Sequence, residues 1–209
     1  MFTGIAHGAY RVSKVVRADG VQEFSVQLAD YGQDLEIGAS VALNGVCLTV
    51  VAVADDETKF EVGSETARIT NLGRLRGGGF VNVERSLRFG DEIGGHLLSG
   101  HIATMAETCR MARSGADMQL QFLVPNPWRP YVMAKGFIAL NGCSLTVAEY
   151  DRQSGIGSVN LIPETMRRTN FPAIQRGDPL NLEVDSHTQT IVETVRLALS
   201  DPAWLESVR

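Results

Sequence analysis

Cysteine is scarce in this 209-residue chain. Its three copies, Cys47, Cys109 and Cys143, follow no metal-ligand spacing, and an odd number argues against a disulfide framework. No run of about 18 apolar residues could span a bilayer, and no basic-then-apolar segment has the layout of a secretory signal. The expectation is therefore no membrane partner and a cytoplasmic location. Positive charge is in short supply as well: 19 Lys and Arg stand against 24 Asp and Glu, a net charge of −5. Basic residues come in pairs, Arg74 with Arg76 or Arg167 with Arg168, as solvated faces do, so no nucleic-acid partner is expected. The rest is ordinary for a globular protein, at 44% hydrophobic and 21% charged residues.

What the chain does have is a phrase written twice. Residues 41–50 read Val-Ala-Leu-Asn-Gly-Val-Cys-Leu-Thr-Val and residues 138–147 read Ile-Ala-Leu-Asn-Gly-Cys-Ser-Leu-Thr-Val. Each copy is an apolar run, an Asn-Gly pair and a second apolar run, which predicts a tight hairpin because both turn residues tolerate positive φ. The match extends from Glu65-Thr66-Ala67-Arg68 to Glu164-Thr165-Met166-Arg167, from Val81-Asn82-Val83-Glu84 to Leu180-Asn181-Leu182-Glu183, and from Thr3-Gly4 to Ser99-Gly100. Solenoid units repeat every 20–50 residues or so. A repeat spanning nearly half the chain, with its blocks in order, is a duplicated domain. The expected division is 1–97, 98–186 and a tail, 187–209.

In the first half, Phe24–Leu28, Ser40–Leu43, Cys47–Val53, Lys59–Val62 and Gly79–Val83 read as strands. Five or six strands in under 90 residues suggest a small closed β-barrel. Ser64 is the expected N-cap of a helical turn through Arg68, and Gly77-Gly78-Gly79 a turn before the last strand. Gly94-Gly95, flanked by Asp91 and Glu92, reads as an exposed bend between the halves. Pro125, Pro127 and Pro130 around Trp128 predict a loop or short helical turn. The tail alone shows a 3.6-residue period, at Ile191, Val192, Val195, Ala198 and Leu199. That stripe suits either a return onto its own barrel or, as we expect for a helix outside two closed barrels, another subunit.

Two like barrels imply two like ligand sites, so the positions where the copies differ are informative. Cys47 stands where Ser144 stands in the second copy, while Thr49 and Thr146 agree; Ile5 stands where His101 follows Gly100. Taken singly, each residue has a plainer reading: Cys47 as a small hydrophobe, Ser144 and Thr146 as backbone-satisfying hydroxyls, His101 as a structural histidine. His7 reads as a surface residue, and His96 and His187 have no evident partner.

Together the motifs say more. Met1-Phe2-Thr3-Gly4-Ile5, the two Asn-Gly-x-x-Leu-Thr-Val hairpins, Gly94-Gly95-His96-Leu97-Leu98-Ser99-Gly100-His101-Ile102 and Leu161-Ile162-Pro163-Glu164-Thr165 resemble the riboflavin synthase family. The resemblance covers essentially the whole chain and is nearest to the bacterial trimeric form. It implies an all-β fold of tandem six-stranded Greek-key barrels with a C-terminal α-helix that assembles a homotrimer. It also implies a dismutation without cofactor or metal: two molecules of 6,7-dimethyl-8-ribityllumazine exchange a four-carbon unit, giving riboflavin and 5-amino-6-(ribitylamino)uracil. Lumazine synthase is a further candidate partner.

Carried over onto matching positions, the resemblance implies catalytic roles for Cys47, His101, Ser144, Thr146 and Asp185. It implies substrate contacts from Gly4, Ile5, Ala6, Leu48, Thr49, Glu65, Thr66, Gly100 and Ile102 with Cys47 and His101. From the second copy come Lys135, Leu145, Asn160, Leu161, Ile162, Pro163, Glu164 and Thr165 with Ser144 and Thr146. An imidazole suits proton transfer and a thiol or hydroxyl suits addition to an electron-poor ring. One position departs from the family pattern: Asn141 stands where Asp is usual, which would remove a carboxylate from the second site and leave the proton work there to His101 and Asp185. The lumazine-binding antenna proteins of luminous bacteria are the non-catalytic alternative; the resemblance has them losing the Cys and His that this chain keeps as Cys47 and His101. A flavin reductase with a similar barrel would need a nucleotide-binding α/β segment, which this sequence lacks.

Overall fold

A computed structural model describes residues 1–18, 20–54, 56–202 and 204. The first barrel is built from β1 (Gly8–Ala18), β2 (Val21–Gln27), β3 (Ser40–Leu43), β4 (Val46–Ala54), β5 (Glu57–Gly63) and β6 (Phe80–Arg85). These close antiparallel in the order β1-β2-β5-β4-β3-β6. The second repeats that order with β7 (Thr104–Ser114), β8 (Asp117–Leu123), β9 (Phe137–Leu140), β10 (Cys143–Asp151), β11 (Ile156–Leu161) and β12 (Pro179–Val184). In each, three consecutive hairpin strands are joined to a fourth that returns beside them, a Greek-key arrangement. Closure leaves no free sheet edge.

The strand missing from the sequence reading is β1. It pairs with β6 through Arg11 and with β2 from Val12, and its register shifts between Val12 and Lys14. That bulge bends one long strand around a barrel corner and breaks the apolar alternation on which a strand is recognised. Thr108 to Arg110 repeat the device in β7, with the partly buried Cys109 as the extra residue. The short helix α1 (Ser64–Ile69) begins one residue earlier than expected: Gly63 is its N-cap, and no side chain caps it. Its counterpart α2 (Pro163–Arg168) opens on a proline, whose missing N–H costs nothing at that position. Around Trp128, Arg129–Tyr131 forms a single 3-10 turn.

Each barrel has its own apolar core, centred on Phe24, Phe60 and Leu43 in the first and on Phe122, Ile138 and Leu140 in the second. A third, small cluster of Phe2, Ala42, Leu98 and Ala139 lies between them. The contact between barrels is organised by the repeated hairpins. Asn44 and Asn141 take φ of 47° and 46°, and Gly45 and Gly142 take 79° and 76°. The two turns meet so closely that a Cβ on Gly142 would lie 2.6 Å from the Gly45 nitrogen.

Around this near-two-fold axis sit six asparagines. Asn44 Oδ1 accepts from Asn82 N–H at 2.8 Å and Asn141 Oδ1 from Asn181 N–H at 2.9 Å. Asn82 Nδ2 then donates across to the Asn141 carbonyl, and Asn181 Nδ2 to that of Asn44. Asn71 N–H donates to Asn181 Oδ1 and Asn170 N–H to Asn82 Oδ1, each at 2.7 Å. Buried amides cost free energy unless paired, and this network, in which Asn141 Nδ2 and Asn170 Oδ1 are left without a partner among the described residues, favours one relative placement of the barrels.

The tail forms α3 (Ser186–Ser200), capped by Asp185, whose carboxylate accepts from Thr188 N–H. Its stripe is divided. Val192 packs on the second barrel's core, and Glu193 and Arg196 bond the Tyr131 hydroxyl. Ile191, Val195, Leu197 and Leu199 stay exposed. Among the described residues no helix is long and apolar enough to cross a membrane. Residues 203 and 205–209 of the expected tail lie outside the described residues.

Candidate active site

Alternation along a strand puts Cys47 and Thr49 on one face of β4 and Leu48 on the other. Leu48 enters the first core, so Cys47 and Thr49 point out of the barrel. Ser144 and Thr146 do the same on β10 around the core residue Leu145. Both sites thus lie on outer barrel faces, where one wall must come from elsewhere.

That wall comes from the other barrel. The Cys47 N–H donates to the Gly100 carbonyl at 2.9 Å, and the Ser144 N–H to the Gly4 carbonyl at 2.8 Å. The two arms also touch each other: Phe2 and Leu98 exchange backbone hydrogen bonds at 2.9 and 3.0 Å. Such contact requires glycine. A Cβ on Gly4 would come within 2.6 Å of Ser144 Cβ, and one on Gly100 within 2.6 Å of Cys47 Cβ, with both residues at positive φ.

The structure therefore sets His101 and Ile102 beside Cys47 on the first barrel, with α1 carrying Glu65 and Thr66 following β5 of that barrel. It sets Gly4, Ile5 and Ala6 with Ser144, Ile162, Glu164 and Thr165 around a cavity of about 210 Å³ on the second. A wider cleft of about 690 Å³ adjoins it, sharing Ile5, Ala6, Glu164 and Arg168. Glu65 and Glu164 are held in matching ways, by Arg68 in the first barrel and by Arg167 and Arg168 in the second. Leu145 and Leu161 turn into the core. Asn160 is exposed on β11, where it pairs with Gln119, and Pro163 opens α2. Lys135 lies exposed on the positive-φ turn before β9, outside the cavity lining.

Two expectations are corrected. His101 does not serve the second barrel, because its arm crosses to Cys47. Asn141 does not line the second pocket: it is fully buried at the axis, where its Oδ1 accepts from Asn71 Nδ2 and Asn181 N–H at 2.9 Å each. An Asn-Gly turn has to project its asparagine toward whatever the turn abuts, and here that is the other barrel.

The sequence reading also missed a residue. His96 is buried, stacked on Phe137 with ring centroids 5.0 Å apart, and its Nδ1 lies 2.6 Å from Ser144 Oγ. Burial pulls its pKa below the ordinary histidine value, and the Asp185 carboxylate pulls back the other way. For Asp185, burial acts to raise the carboxyl, but the Thr188 N–H and hydroxyl, with His96 and His187, outweigh it and hold it low. Cys143 beside Ser144 is an inert thiol, pushed up to about 12 by burial and by Glu84. The clue to His96 was Gly95: a Cβ there would sit 2.6 Å from Ser144 Cβ, so this glycine is packed against the site.

Two outward-facing sites on a duplicated barrel, each completed by the other barrel's arm, define a tandem-barrel protein with a pair of equivalent sites. Residues 3–86 and 99–185 each match the lumazine binding domain. The fold is shared with LumP: its crystal structure complexed with riboflavin superposes with a TM-score of 0.83 at 24% identity, covering 89% of this chain and all of that one. The riboflavin synthase of Escherichia coli K12 is 43% identical over 96% of this chain and 94% of its own. That of Buchnera aphidicola from Schizaphis graminum is 37% identical over 94% of each, and that of the yeast Meyerozyma guilliermondii 32% over 95% and 87%. The chain belongs to the riboflavin synthase family.

Proposed function

We propose that this enzyme dismutates two molecules of 6,7-dimethyl-8-ribityllumazine, one on each barrel type, into riboflavin and 5-amino-6-(ribitylamino)uracil. The observation that carries the reading is the pair of equivalent but chemically unlike sites. One offers Cys47, Thr49 and His101; the other offers Ser144 and Thr146 with buried His96 and, behind it, Asp185. Identical substrates with different fates need such a pair. One must lose a proton from an activated methyl group, and the other must accept a nucleophile at its electron-poor ring. Holding them in register supplies up to about 7–11 kcal/mol of the barrier. His101 and His96 are suited to move protons, and the Cys47 thiol or Ser144 hydroxyl to the addition. In this reading Glu65, Thr66 and Thr165 meet the hydroxyls of the ribityl chain.

Because each site faces outward, a second copy is needed to bring two substrates face to face. The exposed stripe Ile191, Val195 and Leu199 supports a homotrimer formed through α3. Such a trimer belongs in the cytoplasm, with lumazine synthase as the partner that makes the substrate. The test is direct: the purified chain mixed with 6,7-dimethyl-8-ribityllumazine should develop riboflavin absorbance, and a chain ending at residue 189 should sediment as a folded monomer with little turnover. Absence of riboflavin from the intact chain refutes the activity; a truncated chain that stays trimeric refutes assembly through the helix.

A further inference from the structure

Glu84 and Glu183 stand one residue before the end of the last strand of each barrel, in equivalent places, and both are buried. Neither has a salt-bridge partner among the described residues. Glu84 instead grips the N-terminal arm: its Oε1 accepts from Thr3 N–H at 2.6 Å and Thr3 Oγ1 at 2.7 Å, and its Oε2 from Gly4 N–H at 3.1 Å. Glu183 grips the other arm identically, accepting from Ser99 N–H at 2.7 Å, Ser99 Oγ at 2.8 Å and Gly100 N–H at 3.1 Å. The two hydroxyls carry the order one step further, Thr3 Oγ1 accepting from Ile5 N–H and Ser99 Oγ from His101 N–H. A buried carboxylate without a salt-bridge partner is expensive, and burial pushes both carboxyls above the usual range against these hydrogen bonds and the weaker pull of the N-terminal ammonium on Glu84 and of His101 on Glu183. Core packing alone would not keep such a group twice.

We infer that Glu84 and Glu183 are positioning residues that act across the axis: Glu84, in the first barrel, sets the wall of the Ser144 site, and Glu183, in the second, sets the wall of the Cys47 site and the placement of His101. Neither side chain needs to touch substrate. Each fixes the arm whose glycine carbonyl bonds the strand of the opposite site. A glutamine in either place turns one acceptor oxygen into a donor that faces a backbone N–H, so the arm loses its hold while the volume is kept.

The inference rests on the proposed reading that these sites hold lumazine and flavin, and the test separates the two. Riboflavin is titrated into the full-length protein, and alkylation of Cys47 by iodoacetamide is followed by peptide mass spectrometry. Glu183→Gln should raise the riboflavin concentration for half-protection by about tenfold, the scale of one lost hydrogen bond to a charged group, and Glu84→Gln should leave it unchanged. In a Ser144→Cys background, protection of the introduced thiol should respond the opposite way. Ser99→Ala and Thr3→Val each remove the hydroxyl that donates to the glutamate and accepts from the His101 or Ile5 N–H, without touching a carboxylate, and should shift the same sites in the same sense if the glutamine variants fold poorly. Equal shifts at both sites, or none, overturn the inference. Failure of riboflavin to protect Cys47 in the parent protein overturns the reading of the site itself.

Discussion

Gly142→Ala places one methyl group where the two barrels touch, and the structure allows its cost to be worked out. At φ of 76° an alanine carries about 1–2 kcal/mol of backbone strain. Its Cβ would stand 2.6 Å from the Gly45 nitrogen and 2.8 Å from the Gly45 Cα, both backbone atoms that no rotamer change can move. To reach ordinary contact the two turns must part by about 1 Å, an overpacking cost of about 1–3 kcal/mol. Parting them stretches the Asn82-to-Asn141 and Asn181-to-Asn44 hydrogen bonds, now 3.0 and 2.9 Å, at about 1 kcal/mol each. Gly177→Ala is the matched control, since Gly177 has φ of 89° and nothing within 4 Å of a built Cβ. It pays the strain alone. The difference of about 3–5 kcal/mol corresponds to about 6–20 °C in melting midpoint for a chain of this size. Scanning calorimetry of the two variants measures it. Midpoints within about 3 °C of each other would refute the claim that the axis is close-packed, and with it the argument that the asparagine network fixes the barrels.

Three further outcomes follow from the site. His101→Gln should lower kcat by about 10²–10⁴-fold with little change in KM, and Cys47→Ser should cost less; steady-state kinetics with the lumazine decide, and an unchanged kcat reduces His101 to a wall of the pocket. Asn141→Asp puts a carboxyl where two N–H groups but no cation await it. Burial there holds the folded pKa above the unfolded one, so stability should fall as pH rises through the folded value while the kcat–pH profile keeps its shape; a new inflection in kcat without a change in melting would return position 141 to the pocket. His96, whose folded pKa is lowered by burial, binds fewer protons than the unfolded chain just below about pH 6.5, so its contribution is present above that pH and is lost as pH falls toward the folded value. Melting curves of His96→Gln between pH 7.5 and 5 should show a shallower loss than the parent, although His7, also lowered, keeps part of the slope in both. Parallel curves would show His96 to be solvated.

The duplication, the barrels and the tail helix were legible because they rest on local signals: Asn-Gly between apolar runs, period-2 alternation, one 3.6-residue stripe. β1 was not, since the bulge at Ser13 spoils the alternation that marks a strand. Within the site, Cys47 and Ser144 were found by comparing the copies, which exposes any position where two equivalent pockets differ. His96 escaped the same comparison for a simple reason: the matched blocks run from Thr3 and Ser99 onward, and His96 lies before the second of them. The crossing of the arms was hidden for a different reason. Thr3-Gly4 and Ser99-Gly100 align as neighbours of their own barrels, and only the carbonyl of Gly100 against Cys47 shows which site each one serves. Asn141 was misplaced by the same limit, because a turn's own sequence says how it bends and not what it faces.

The crossed arms also bear on what one barrel could do alone. A solitary barrel of this type lacks a wall of its own pocket, so a chain half this long would complete the site only as a pair of copies that each lent an arm to the other. A two-fold dimer presents the same patch on both members, and the Asn-Gly turns meet in that way at Gly45 and Gly142. In this chain the equivalent pair is held within one polypeptide, with the segment from Ser86 to Leu98 as its tether. A pair of identical copies can hold only identical pockets. Within one chain the two arms are free to differ, as Ile5 and His101 do, and a reaction that treats two copies of one molecule differently comes within reach.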